Sequence, residues 1–164
     1  VSEHVQLPIR GGFTLIDAAD LPLIEKRSWR LHKCKDGHLY ARATESVDGA
    51  SRTLLMHRVL MELETGDPLE VDHRDGNGLN NTRMNLRIAT RAQNAKNRKP
   101  QANRHGFKGV MWDGWAYRGR IYVDGRRIAG PAVTTAVDAA AWYDQMSMRH
   151  YGEFAAPNGI RRPG

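Results

Sequence analysis

A single cysteine, Cys34, stands in 164 residues, so an intramolecular disulfide framework is excluded and a reducing compartment is expected. No apolar run approaches the roughly 18 residues that a membrane span requires. The first ten residues, VSEHVQLPIR, offer no apolar secretory core, and a cytoplasmic protein with no membrane association is the expectation. Carboxylates are the scarcer charge. Eighteen Asp and Glu face 25 Lys and Arg, for a net charge of +7 and a pI near 9.9, which suggests a polyanionic partner. No long-period repeat is present. What remains is 40% hydrophobic content and four tryptophans, the composition of a folded chain. The length fits one domain or two very small ones, with local packing in place of one large core.

Residues 1–55 read as short strands joined by turns. GFTLI is one, and a hairpin spans Leu31 to Ala43 around Asp36-Gly37, with Trp29 packed beneath it. From Met56 the period changes: Met56, Val59, Leu60 and Leu63 recur at helical spacing, with Gly66 and then Pro68 as the stop. VDHRDGNGLNN is turn-rich, with possible tight turns at Asp75-Gly76 and Asn77-Gly78. NLRIA is a short extended piece. Thr90 with Gln93 three residues later is a capping box, so a helix begins near Arg91 and ends before Pro100. Residues 83–99 hold six Lys or Arg and no carboxylate, a bias better explained by contact with phosphate than by a merely solvated face.

A linker at 101–106 precedes three further strand candidates, FKGVMW, WAYRGRIYV and RRIAG, separated by Asp113-Gly114 and Asp124-Gly125. Thr135 and Asp138 cap a helix whose small, mostly apolar face is Ala136, Ala139, Ala140, Tyr143 and Met146 or Ser147; Gly152 ends it. Trp112 and Trp115 are expected in core or turn packing. Both halves thus consist of a turn-rich sheet followed by a capped helix.

The chemistry-bearing residues lie in the first half. Asp72 and His73 are adjacent before a turn; Asn85 follows His73 by 12 residues and Asn94 follows Asn85 by nine. Phosphodiester hydrolysis needs a base to activate water and a cation to stabilise charge on the phosphate and the leaving oxygen. A hard ion such as magnesium prefers oxygen ligands and keeps several waters, so one carboxylate and one amide oxygen suffice, here Asp72 and Asn94. His73 titrates in the range needed to take a proton from water at neutral pH. His32, Cys34 and His38 lie within seven residues, but no second Cys or His pair stands at finger-like spacing, so no zinc site is expected there. His57, beside Arg58 at a helix start, is a candidate DNA contact and equally a structural residue.

The stretch HRVLMELETGDPLEVDHRDGNGLNNTRMNLRIATRAQNAKN resembles the HNH endonucleases, particularly their homing-type members, whose order of helix, Asp-His turn, Gly-Asn, Asn-Leu-Arg and final Asn it reproduces. That resemblance implies a ββα-metal finger around one divalent ion, Mg2+ with Mn2+ as an alternative. It makes His73 the general base, Asp72 and Asn94 the metal ligands, and Asn85 the residue that braces the loop and orients His73. Asn in place of His at the last position is the form associated with homing enzymes, which often nick one strand. A phage-infected or bacterial cell is the implied setting.

The segment from FKGV through YRGRI, RRIAG and AAAWYD to YGEFAAPN resembles the ethylene-response-factor (APETALA) type DNA-binding domain. The resemblance implies a three-stranded antiparallel sheet in the DNA major groove with one helix behind it. Alternation agrees, putting Arg118, Arg120 and Tyr122 on one face and Tyr117, Ile121 and Val123 on the other. Lys108, Arg118, Arg120, Tyr122 and Arg126 then face duplex DNA, joined by Arg87, Arg91 and Lys96 of the nuclease motif. Met111 and Asp113 stand where that family carries basic residues, and Ala132 where it carries an aromatic, so its base preference is not expected here. The whole chain is therefore expected to be α+β: a strand-rich region at 1–55, an HNH motif at 56–100, the linker, a sheet-and-helix module at 107–159 and a tail at 160–164. No obligate protein partner is evident. The rival expectation is a non-catalytic DNA-binding protein that retains the HNH fold.

Overall fold

Alternating side chains in HVQLPI and GFTLID let two strands share one buried face. β1 (His4–Ile9) and β2 (Gly12–Asp17) pair antiparallel from His4↔Asp17 to Ile9↔Gly12, turning at Gly11 with φ of 91°. The structure, a computed structural model, describes residues 3–97 and 104–160 and divides into two units, Val1–Asn94 and Ala95–Gly164. Both are mixed α+β. Among the described residues no helix is long and apolar enough to cross a membrane.

In the first unit a short helix, α1 (Leu21–Ile24), leads to a three-stranded antiparallel sheet of β3 (Arg30–Lys33), β4 (Leu39–Val47) and β5 (Ala50–Leu55). The β3–β4 turn falls at Asp36-Gly37, as the sequence predicts. The β4–β5 turn, unanticipated, is Asp48-Gly49, both at positive φ (51° and 78°), as a two-residue hairpin demands. The helix expected from Met56 is shorter than its apolar spacing suggests: α2 is Met56–Leu60. Glu62 adopts φ of 57° and Leu63 N–H donates back to Arg58 O at 2.9 Å, which closes the helix before Leu63. The Arg58 guanidinium then donates to Leu69 O (3.0 Å) and Glu64 O, binding the following turn to the helix.

β6 (Glu70–His73) and β7 (Leu86–Ala89) form an antiparallel pair from Glu70↔Ala89 to His73↔Leu86. The predicted capping box then starts α3 (Arg91–Lys96): Thr90 N–H donates to Gln93 Oε1 at 2.8 Å and Gln93 N–H to Thr90 Oγ1 at 3.2 Å. One apolar cluster holds the unit together. Ile16, Ile24, Met56 and Leu60 are fully buried, packed with Trp29, Ala41, Ala43, Val71 and Leu86. Each such large side chain contributes about 1.5–3 kcal/mol by leaving water. The N-terminal strands and the β6–β7 hairpin therefore share a core.

The second unit is a three-stranded antiparallel sheet, β8 (Val110–Trp112), β9 (Tyr117–Val123) and β10 (Arg126–Ala129), in chain order. Asp124-Gly125 makes the β9–β10 turn with φ of 48° and 75°. Thr135 Oγ1 accepts from Asp138 N–H at 3.1 Å and starts α4 (Ala136–Tyr151), which packs on β9. Its buried face is Ala139, Ala140, Ala141, Tyr143, Asp144 and Ser147, so Ser147 and not Met146 points inward. Buried Asp144 is satisfied by the Asn158 backbone and side-chain N–H groups and by Ile160 N–H. Gly119 and Gly130 let Trp142 lie against the backbone: a Cβ on Gly119 would come within 2.4 Å of that indole. Trp112 and Trp115, expected in packing, are exposed at 36% and 68%; Trp112 rests against Tyr117 and Trp115 beneath the Arg118 guanidinium. The first capped helix ends at Lys96, before Pro100 as expected, while residues 101–103 of the 101–106 linker and residues 161–164 of the tail lie outside the described residues.

Candidate active site

Because strand neighbours point to opposite faces, β6 sends Glu70 and Asp72 one way and Val71 and His73 the other. The register sets Arg87 directly across from Asp72. Its guanidinium donates through Nε (2.7 Å) and Nη2 (2.5 Å) to Asp72 Oδ2, with both side chains about 95% buried. Arg87, expected at a DNA surface, is thus the buried counter-ion of Asp72. A pair removed from water to this degree demands both partners.

Asn94 lies in the second turn of α3 and donates from Nδ2 to Glu70 Oε2 at 2.6 Å. This bond ties the helix back to the strand that carries Asp72 and His73. It also engages the amide nitrogen, so the oxygen is the atom with which Asn94 could hold a metal. Among the described residues no group of three or more His, Cys, Asp or Glu is arranged to hold a metal. Arg87 holds Asp72 through its Oδ2. One carboxylate and one amide oxygen, with water completing the shell, suit a hard divalent ion rather than zinc. Glu70 was not anticipated; nothing in its sequence position distinguishes it from other surface carboxylates.

On the opposite face the His73 ring packs edge-on against His57, centroids 5.0 Å apart at 87°, and against Tyr40 at 6.0 Å. Burial lowers the pKa of His73, while the Asn81 hydrogen bond and the Asp75 and Asp72 charges pull the other way. The net result is an imidazole kept neutral at pH 7, the form that accepts a proton. His57 is buried rather than placed for a DNA contact. Burial, with smaller contributions from His73 and Arg58, takes its pKa to about 3, and its Nδ1 has no hydrogen-bond partner among the described residues. Gly78 lies in the expected tight turn, closed by Asn80 N–H donating to Asn77 O at 3.0 Å, and also permits close approach: a Cβ there would meet Leu39 O at 2.3 Å and the Tyr40 ring at 2.6 Å.

Asn85 braces the 74–85 loop. Its Nδ2 donates to Asp75 Oδ1 (3.0 Å) and Asn80 O (2.7 Å), and its Oδ1 accepts from Asp75 N–H (3.1 Å). Burial raises the Asp75 pKa, but donors from Asn80, Asn77 and Asn85 outweigh it and leave the carboxyl below its usual range. The side chain that meets His73 is Asn81, whose Oδ1 lies 3.2 Å from His73 Nε2. The doubled asparagine Asn80-Asn81 was the signal available in the sequence, and it was read only as turn chemistry.

In the second unit, β9 presents Arg118, Arg120 and Tyr122 on the face opposite α4. Arg118 pairs with Asp113 at 2.7 Å, and Arg120 lies over the Tyr122 ring at 5.7 Å. Register sets Arg127 across from Tyr122, whereas Arg126 faces Val123, so Arg127 joins this row and was missed. Lys108 is half-buried and donates to Lys96 O at 2.7 Å; burial, then Lys96, lowers its pKa to about 8. Lys96 donates to Tyr122 O at 3.1 Å and sits 4.6 Å above the Tyr151 ring. Arg91 is exposed.

A family model described as HNH endonuclease matches residues 54–96, the segment from β5 through α3. An uncharacterized HNH endonuclease of Acanthamoeba polyphaga mimivirus is 30% identical over 153 residues, covering 92% of this chain and 77% of that protein. The chain belongs to the HNH endonuclease family. A second relative of this HNH endonuclease, Protein 3.8 of Escherichia phage T7, is 32% identical over 88 residues, 52% of this chain and 72% of that one. Both relatives are viral. A solved structure described as DNA binding and cleavage by the HNH homing endonuclease I-HmuI aligns with 29% identity and a TM-score of 0.35, over 51% of this chain and 45% of that one. The HNH endonuclease thus spans less than half of that solved chain.

Proposed function

We propose that this HNH endonuclease cleaves duplex DNA with a divalent ion, His73 acting as general base and Asp72 and Asn94 as metal ligands. The observation that carries the reading is the Asn94–Glu70 bond, which brings an amide oxygen from α3 to the strand bearing Asp72 and His73. Neutral His73 takes the proton from the attacking water, and the mostly buried ring keeps bulk solvent from competing for its lone pair. Asn85 holds the loop that carries Asp75 against β7, and Arg87 holds the Asp72 carboxylate in place. When bound, the ion, Mg2+ or Mn2+, stabilises charge on the phosphate and the leaving oxygen.

The nuclease segment is residues 56–100, and the module at 107–159 serves as an ethylene-response-factor type DNA-binding domain. A three-stranded sheet with α4 behind it and Arg118, Arg120, Tyr122 and Arg127 in front supports that assignment. Arginines in such a row contact phosphate or the O6 and N7 edge of guanine. Lys108 and Lys96, engaged with backbone carbonyls, shape the module beside that face; exposed Arg126 and Arg91 reach phosphate. One catalytic set per chain makes nicking the expected outcome for a monomer.

The test is incubation with supercoiled plasmid, with magnesium or manganese and with chelator. Metal-dependent conversion to open circle is expected, reduced roughly a hundred- to ten-thousandfold in His73→Ala with DNA affinity retained. Salt-sensitive binding without cutting would instead identify a non-catalytic DNA-binding protein on an HNH fold.

A further inference from the structure

The N-terminal hairpin, to which the sequence assigns no role, reaches the active site through two fully buried side chains. Thr14 of β2 and Asn81 of the 74–85 loop are 1% and 0% exposed. Thr14 Oγ1 donates to Leu79 O at 2.8 Å, Asn81 Nδ2 donates to Thr14 Oγ1 at 2.8 Å, and His73 Nε2 lies 3.2 Å from Asn81 Oδ1. Leu15 N–H donates to Leu79 O and Asn81 N–H to Leu15 O, so β2 is joined to the loop on both sides of this chain.

The direction of the chain follows from its end. A backbone carbonyl only accepts, so the single hydroxyl proton of Thr14 is committed to Leu79. The same oxygen then only accepts, which orients the Asn81 amide with its NH2 toward Thr14 and its oxygen toward His73. That oxygen also only accepts, so His73 Nε2 carries the proton and Nδ1 carries the lone pair. Reversing the amide would set its oxygen against the Thr14 oxygen, acceptor against acceptor, in a place that water does not reach.

We propose that Thr14 and Asn81 are positioning residues that impose the Nε2–H tautomer on His73, so that Nδ1 is the nitrogen that takes the proton from water. The inference rests on the reading of His73 as general base. It makes the N-terminal hairpin part of the catalytic apparatus, with the proton position on the base set by the backbone of Leu79.

Tautomers of a neutral histidine are distinguished by long-range 1H–15N NMR, and the measurement needs no turnover. The wild-type protein should show His73 as Nε2–H; an Nδ1–H form would overturn the proposal whatever any variant does. Thr14→Val keeps the shape but removes the hydroxyl, and should abolish the tautomer preference and lower kcat roughly tenfold or more, with KM and DNA affinity unchanged. Asn81→Leu should do the same, whereas Thr14→Ser, which retains the hydroxyl, should restore both tautomer and kcat. Full kcat in folded Thr14→Val and Asn81→Leu, with His73→Ala inactive, would overturn the positioning role alone. Wild-type cleavage by His73→Ala would instead overturn the base assignment on which it rests.

Discussion

Replacing Arg87 by leucine isolates the interaction most exposed to disproof. The substitution leaves Asp72, about 95% buried, without the guanidinium that donates twice to its Oδ2. Breaking one side of a buried ion pair costs about 3–5 kcal/mol, because the remaining charge is either uncompensated or must take up a proton. Domains of this size are stable by about 5–15 kcal/mol, so roughly a fifth or more of the total is at stake. With a urea slope of about 2 kcal/mol/M, the midpoint should fall by about 1.5–2.5 M. The assay is urea unfolding followed through the NMR signals of fully buried Ile16 and Ile24, which report on the same unit. Arg91→Leu, at an exposed site, is the control and should stay within about 0.5 kcal/mol of wild type. Combining Arg87→Leu with Asp72→Val should recover most of the loss, since an apolar pair of similar volume is often as stable as a buried ionic one. Magnesium should stabilise Arg87→Leu more than wild type if Asp72 binds the ion. A midpoint for Arg87→Leu no lower than that of Arg91→Leu would refute the ion-pair argument, and equal magnesium shifts would separate Asp72 from the metal.

Three further outcomes are expected. His57 has a folded pKa of about 3 against an ordinary value of 6.5, so between these limits the unfolded chain holds the proton and the folded chain does not. Stability present above about pH 6.5 should therefore fall toward pH 3 by at most roughly 1.4 kcal/mol per unit from this residue. His57→Gln should flatten that acid limb by about one proton in a pH series of urea midpoints, and an unchanged slope would relocate the titration. Gly119→Ala drives a Cβ to 2.4 Å from Trp142 and 2.7 Å from Ala139 O, and should cost about 1–3 kcal/mol by thermal unfolding. Arg120→Ala and Arg127→Ala should each reduce the salt dependence of DNA binding by about one phosphate contact, while Gln145→Ala, exposed on α4, leaves it unchanged; equal slopes for all three would remove the sheet face from the interface.

Local rules carried far in this chain. The capping boxes at Thr90 and Thr135, the Asp-Gly turns at 36–37 and 124–125, and the alternation along β9 all depend on residues a few positions apart, and each appears in the structure. Spacing failed where the decisive contact was distant or conformational. The helix at Met56 stops at Leu60 because Glu62 turns to positive φ, which apolar periodicity does not encode. Arg126 and Arg127 are equivalent in sequence, and only the β9–β10 register distinguishes them.

The residue types of the candidate site, their order and their spacing were determined by the sequence, because Asp72, His73, Asn85 and Asn94 belong to one short hairpin and the helix that follows it. Their environments were decided by tertiary structure. Burial turned Arg87 from a surface cation into the counter-ion of Asp72, and packing beside Tyr40 and His73 made His57 a neutral core histidine. Asn81 gained its contact with His73 through Thr14, 67 residues earlier in the chain. A hydrogen bond or ion pair between side chains depends on which faces the fold brings together and on how little water is left between them, and neither is expressed in the local pattern of residues.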